Sequence, residues 1–305
     1  MTLKRKEYLQ EEVYIDPFTD EGFKIIFGTE NQSEEIIRGF LNQLMKDDPD
    51  FGNIEKIVFR PTERNRQRKG AKTIVYDVLC ETESKKRYIV EMQQEKDSYF
   101  LNRVRYYMSR AIVDQGRRKK GDPEWSYDPL YPVVGVFLCD FHIEGLRRKL
   151  ITRVGNMDLD DKVPVGNHTR EYYLQLPEFN KTPEECVEKI DQWIYILKHM
   201  PTLQIIPFDI RNDAALTQLD EVSRIAALKE AQRQRYDAAL RRKRDRLSQL
   251  DTARTEGEKI GIEKGEKIGE KKKQNEIARK MTVMGVDDAM ISEITGLTIK
   301  EIEEL

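Results

Sequence analysis

The 305-residue sequence contains no uninterrupted apolar run close to the roughly 20 residues that a membrane-spanning helix requires. Its three cysteines lie far apart and form no C-x-x-C pair, and its three histidines lack the spacing of metal ligands. The first residues carry charges but no apolar segment typical of a secretion signal. We therefore expect a soluble, cytoplasmic protein without a membrane partner, a disulfide framework or a zinc site.

A large excess of charge of one sign is also absent, because the formal net charge is -2 although 35% of the residues are charged. A surface for nucleic acid must therefore be local. Residues 60–72 carry six basic residues against one acidic residue, and residues 103–120 carry seven against one. Such segments are either solvated charge or contacts for phosphate groups, and their composition alone leaves both interpretations open.

The hydrophobic pattern predicts an α/β domain with a central mixed sheet flanked by helices. Strands are predicted at residues 54–59, 73–82, 87–93, 131–139 and 172–176, and helices with an apolar stripe at residues 33–45 and 98–115. In the second of these helices, we expect Arg103, Tyr107 and Arg110 to share a face opposite the apolar stripe. That face would bind DNA phosphates together with residues of the first basic segment, namely Arg66, Arg68 and Lys72.

The composition changes after residue 210, so we expect a main domain at 1–210, a charged helical linker at 211–274 and a small helical cap at 275–305. Glycine recurs every four residues from 257 to 269, and each glycine costs a helix about 1 kcal/mol relative to alanine. This pattern is typical of a tether or an assembly helix. We therefore expect a homo-oligomer formed through the C-terminal helices.

Two acidic residues interrupt apolar strand sequences, Asp77 in TIVYDVLC and Glu91 in YIVEMQ. Because strand side chains alternate between faces, both carboxylates can converge on one patch of a hairpin, with Gln93 beside them. Two carboxylates in a partly dry site repel each other unless a cation such as Mg²⁺ lies between them. The alternative is that both face solvent in ordinary ion pairs. Aspartate is a poor strand former, and sites are built at strand ends, which favours the functional interpretation.

An acid at the end of one strand, a short loop, and Glu-x-polar on the next strand together resemble the PD-(D/E)XK nuclease superfamily. More narrowly, TDEGFKIIFG, VYDVLC, YIVEMQ, RVRYYMSR and YPVVGVFLCDF are similar to segments of the recombination-promoting nucleases, a transposase family of bacteria. The resemblance covers about residues 14–145. It implies a restriction-endonuclease-like core, DNA as the partner and Mg²⁺ or Mn²⁺ as the cofactor.

By this resemblance, Asp77 and Glu91 would bind the metal, with the backbone carbonyl of Met92 as an additional ligand. Gln93 stands where the superfamily has lysine; it matches the narrower family, but it carries no charge and can orient water only by hydrogen bonds. Asp20 would be a further acid of the site, although it also suits the N-cap of a helix.

We therefore expect a metal-dependent DNA endonuclease that acts in recombination or transposition-like DNA processing. The alternative is a catalytically weak or inactive nuclease-fold protein that serves as a DNA-binding or assembly module. The uncharged Gln93 and the long helical tail leave that alternative open. A purely structural role for the two acids agrees least with the clustered motifs.

Overall fold

The computed structural model describes residues 12–28, 32–64, 74–115 and 130–305. The chain divides into two compact units, Met1–Leu240 and Arg241–Leu305. Among the described residues, no helix combines the length and the apolar character needed to cross a membrane.

The strands of the first unit are β1 (Ile57–Phe59), β2 (Glu63–Arg64), β3 (Ile74–Val75), β4 (Val78–Thr82), β5 (Arg87–Gln93), β6 (Val133–Cys139), β7 (Ile151–Gly155) and β8 (Thr169–Gln175). Six of them form one mixed sheet in the order β1-β4-β5-β6-β8-β7, while β2 pairs with β3 in a separate ribbon. Strands β5, β6 and β8 are parallel, and the other neighbours in the large sheet are antiparallel. The predicted mixed sheet is therefore confirmed.

The helices of the first unit are α1 (Asp20–Phe27), α2 (Glu34–Leu44), α3 (Phe100–Val113), α4 (Lys189–His199), α5 (Ala214–Ser223) and the beginning of α6 (Glu230–Val283). One face of the sheet packs against α1, α2, α4 and α5, and the other packs against α3. All seven residues of β6 are buried, because this central strand is covered on both faces. Among the helices of the described residues, α3 is the one that packs on the face that carries the two acids.

The predicted domain boundary at residue 210 is wrong. Leu216 and Leu219 of α5 are fully buried in the main core, and Tyr236 of α6 is 1% exposed there. Helix α5 packs against α2 and α1, so it completes the first unit. Charged residues are interspersed with the apolar residues of this segment, so its average composition does not reveal the face that packs into the core.

The second unit contains the remainder of α6, followed by α7 (Asp288–Thr295) and α8 (Ile299–Glu303). Ala278, Ile291, Leu297 and Ile302 form a small apolar core, consistent with the predicted helical cap. At the four glycines of α6, an added Cβ would meet no atom within 4 Å. Self-association through these helices stays a prediction.

Candidate active site

Asp77 and Glu91 face each other where β4 joins β5. The antiparallel register pairs Val78 with Val90, which places Asp77 opposite Glu91 one step further along. The predicted single strand 73–82 is interrupted here, because β3 ends at Val75 and belongs to the separate ribbon. The chain passes from one sheet to the other at residues 76 and 77, so Asp77 lies in a bend rather than within a strand.

Backbone hydrogen bonds fix the two carboxylates against each other's strand. The N–H of Asp77 donates to Glu91 Oε1 at 3.1 Å, and the N–H of Met92 donates to Asp77 Oδ2 at 3.2 Å. Glu91 is 4% exposed and Asp77 is partly buried. Each carboxylate also has a second oxygen beyond the one that accepts from a backbone N–H.

The carbonyl group of Met92 lies on the β4 side of β5. In a strand, the N–H and C=O groups of one residue point to the same side, and those of the next residue point to the other. The Met92 N–H reaches Asp77, whereas the carbonyl of Gln93 accepts from the N–H of Asp140 on the β6 side at 2.9 Å. The Met92 carbonyl therefore lies on the same side as both carboxylates.

Arg103 belongs to this site rather than to an outer surface. Its guanidinium group donates to Gln93 Oε1, pairs with Asp97 at 3.4 Å and lies over the Phe100 ring. Its positive charge also partly opposes the rise in pKa that burial causes at both Asp77 and Glu91. No local sequence pattern signals this contact, which joins the end of β5 to the second turn of α3.

Arg103, Tyr107 and Arg110 share a face of α3, but the prediction that this face lies opposite the apolar stripe is wrong. Each residue directly precedes a buried residue of α3, and about 100° per residue puts it on the flank of the stripe. Arg110 has a side chain only 14% exposed and pairs with Asp114 at 3.3 Å. Tyr107 is partly buried, with its ring centroid 5.5 Å from that of Tyr76. The other three predicted DNA contacts, Arg66, Arg68 and Lys72, lie outside the described residues.

Asp20 is the first residue of α1, and it is not the cap. Thr19 is the N-cap, because its hydroxyl oxygen accepts from the N–H of Gly22 at 3.0 Å. Asp20 is exposed and close enough to raise the pKa of Asp77, while Lys24, one turn later, lowers it. The first helix therefore places one acidic and one basic residue near enough to Asp77 to influence its pKa.

A comparison with known families agrees with this arrangement. The sequence profile of the family described as PD-(D/E)XK nuclease family transposase matches residues 17–253, which include both acids and the whole six-stranded sheet. The chain belongs to this nuclease family. No curated protein and no solved structure matches the chain. The six-stranded mixed sheet with its flanking helices is the restriction-endonuclease-like fold expected for this PD-(D/E)XK protein.

The electrostatics of the PD-(D/E)XK carboxylate pair favour a bound cation. Burial raises the pKa of Asp77 to about 6, against the lowering effect of the Met92 N–H. Burial, followed by the charge of Asp77, raises the pKa of Glu91 well above its ordinary value. Both shifts express the cost of holding a negative charge away from water, and for Glu91 also the cost of a second negative charge nearby; a cation between the two carboxylates would offset that cost.

The residues present fit a hard divalent ion. Within the described residues, no cluster of three or more His, Cys, Asp and Glu side chains could hold a metal, so the site depends on fewer side chains. Asp77, Glu91 and the Met92 carbonyl present oxygen atoms, the type of ligand that Mg²⁺ and Mn²⁺ prefer, and such ions keep waters or phosphates as further ligands. Nucleases of this superfamily use divalent metal ions.

The raised pKa predicts an unusual dependence of stability on pH. A carboxyl group whose pKa rises from 3.8 unfolded to about 6 folded binds its proton more tightly in the folded state. Its contribution to the free energy of unfolding is therefore present below pH 4 and lost as pH rises through 6. In urea unfolding with EDTA, Asp77→Asn should gain stability relative to wild type between pH 4 and pH 7.5. A difference that does not change with pH would contradict the assignment.

Proposed function

We propose that this protein is an Mg²⁺- or Mn²⁺-dependent DNA endonuclease that acts in recombination or transposition-like DNA processing. The observation that supports it most is the convergence of one buried and one partly buried carboxylate with a strand carbonyl at one junction, beside a guanidinium group. An ordinary pair of surface acids would be exposed and each would pair with its own cation. Glu91, at 4% exposure and facing another acid, fits a metal ligand instead.

Asp77, Glu91 and the Met92 carbonyl would hold the metal. A divalent ion bound there supplies an activated water and stabilises the charge that develops on the attacked phosphate. The protein's own groups keep this position dry on the α3 side, where Tyr76 and Leu79 are buried. Exclusion of water strengthens every electrostatic interaction with the developing charge.

Arg103 supplies the positive charge that Gln93 lacks. A guanidinium group can only donate hydrogen bonds, so the amide oxygen of Gln93 must face Arg103. The amide NH₂ group is thereby directed elsewhere, where it can donate to a water or to a phosphate oxygen. Together the two residues provide a fixed cation and an oriented donor, the roles that a single lysine fills elsewhere in the superfamily.

Purified protein incubated with supercoiled plasmid tests the proposal. We expect nicked and linear DNA with Mg²⁺ or Mn²⁺ and none with EDTA or with Ca²⁺ in place of Mg²⁺. Single-stranded RNA of equal mass serves as a second substrate to test for DNA preference. Binding of plasmid without cleavage under any of these conditions would instead support the alternative of an inactive DNA-binding or assembly module. We further propose that the C-terminal helices mediate homo-oligomerisation.

A further inference from the structure

The carboxyl-terminal ends of three parallel strands lie side by side, at the end of the sheet where the site is located. Gln93 of β5 is in register with Cys139 of β6, which is in register with Gln175 of β8. Neighbouring strands are about 4.8 Å apart, so β5 and β8 are separated by roughly 10 Å, or about three base-pair steps of 3.4 Å. A duplex lying against the site would therefore also pass the loops that follow β6 and precede β7.

Gln175 fixes one of these loops from the inside of the protein. Its side chain is fully buried, and its Oε1 accepts from the N–H of Ile143 at 2.8 Å. Its Nε2 donates to the carbonyls of Arg147 and Lys149 at 2.8 and 3.0 Å. Three backbone groups of residues 143–149 are therefore held by one interior amide, and the loop has a defined path.

This loop carries three consecutive cations, Arg147, Arg148 and Lys149, and all three residues are exposed. None of them forms a salt bridge with another of the residues that the structure describes, whereas Arg103 and Arg110 are each paired with an acid. Unpaired cations on a backbone that is already ordered can bind phosphates without first giving up an internal ion pair.

A cleft of about 270 Å³ lies between the residues that follow β5 and the first part of this loop. Its walls are residues 96–98 and 100–102, which follow β5, and residues 141–145, which follow β6. Glu144 of the second wall pairs with Lys96 at 4.0 Å, and this ion pair reduces the repulsion between Glu144 and a phosphate group. One wall of the cleft therefore borders the site, because Asp97 pairs with Arg103, and the other wall, residues 141–145, is the first part of the loop that carries the cations.

We infer that Arg147, Arg148 and Lys149 form a DNA phosphate-binding surface, which we name the basic loop, and that it replaces the predicted α3 face in that role. The inference rests on the proposed function in that it takes duplex DNA as the partner. Phosphate contacts position the duplex without reading its sequence, so the basic loop would hold DNA of any sequence across the cleft.

The test compares two variants of equal net charge in the full-length protein. One is Arg147→Gln/Arg148→Gln/Lys149→Gln. The control, Lys56→Gln/Lys85→Gln/Lys162→Gln, removes three exposed lysines near the amino-terminal ends of β1, β5 and β8, at the other end of the sheet. Fluorescence anisotropy of a labelled 30-base-pair duplex in EDTA, from 50 to 300 mM NaCl, measures binding without cleavage.

We expect the loop variant to reduce the slope of log K against log salt by up to about 2.7, or 0.9 per phosphate contact. At 0.1 M salt this corresponds to a loss of affinity of up to about 500-fold, and at least about tenfold is expected. The control should change the slope by less than about 0.9, the value expected for one phosphate contact. Equal losses in both variants, an unchanged loop variant, or tighter binding of single-stranded RNA than of duplex through the loop would overturn the inference.

The outcomes for binding and cleavage are separable. Wild-type protein that binds duplex through the basic loop but never cuts it would refute the nuclease proposal and leave this inference standing. Protein that cuts DNA with an affinity indifferent to the loop would refute only the inference. Wild-type protein that does not bind duplex at all would refute both.

Discussion

Asp77→Asn and Glu91→Gln should each abolish metal-dependent nicking while leaving the fold intact. Both replacements keep the size and the hydrogen-bond acceptor of the side chain but remove the charge that binds the metal. Mutation of a residue that hydrogen-bonds to a metal ligand lowers metal affinity or activity about 10- to 100-fold. Mutation of a ligand itself should therefore lower activity by more than about 100-fold. Plasmid nicking measures activity, and circular dichroism with thermal unfolding checks the fold.

Glu171→Gln provides the matched control for this prediction. Glu171 is a buried carboxylate on the same sheet, 3% exposed, but it accepts from Tyr173 at 2.7 Å and pairs with Arg105. Its loss should lower the melting temperature without affecting the dependence of nicking on Mg²⁺. In addition, Mg²⁺ should raise the melting temperature of wild type and of Glu171→Gln, but not of Asp77→Asn. Full activity in one site variant would remove that residue from the metal site, and full activity in both would contradict the assignment.

The sequence predicted the sheet and the acid pair because both depend on local patterns. The apolar runs of β5 and β6 are visible within a few positions, and a hairpin brings its own two strands together. The break of the first strand at Asp77 depends on the pairing of β3 with β2 in a separate ribbon, which local patterns do not predict. Aspartate as a poor strand former was the one local sign of that break.

The contacts that complete the site are long-range, and no local pattern reports them. Arg103 was assigned to a DNA-facing surface because helical periodicity gives the angle of a residue but not what the adjacent strand end presents to it. The buried amide of Gln175 organises a loop some 26 to 32 residues earlier, and no spacing in the sequence announces that contact. Helix α5 was likewise excluded from the main domain because its partners, α1 and α2, lie at the other end of the chain.

Exchange of charge between positions 93 and 103 should reveal which residue provides the cation of the site. Arg103→Met should lower nicking by about 100-fold or more, comparable to the loss of one electrostatic donor to a developing charge. Gln93→Lys alone should not raise activity, because its ammonium group would lie against the guanidinium group of Arg103. The double variant Gln93→Lys/Arg103→Met should recover at least about tenfold over Arg103→Met, since the new ammonium group restores one cation without repulsion.

Arg105→Met, on the same helix but with a side chain 63% exposed and paired with Glu171, is the control for loss of an arginine from α3. A pH profile separates charge from structure. Because Arg103 lowers the pKa of both acids, Arg103→Met should move the acidic limb of the nicking profile to higher pH, and adding Gln93→Lys should move it back. Two results together would contradict this prediction: higher activity of Gln93→Lys with Arg103 present, and a double variant no more active than Arg103→Met. They would show that Arg103 only supports the fold and that residue 93 alone orients the nucleophile.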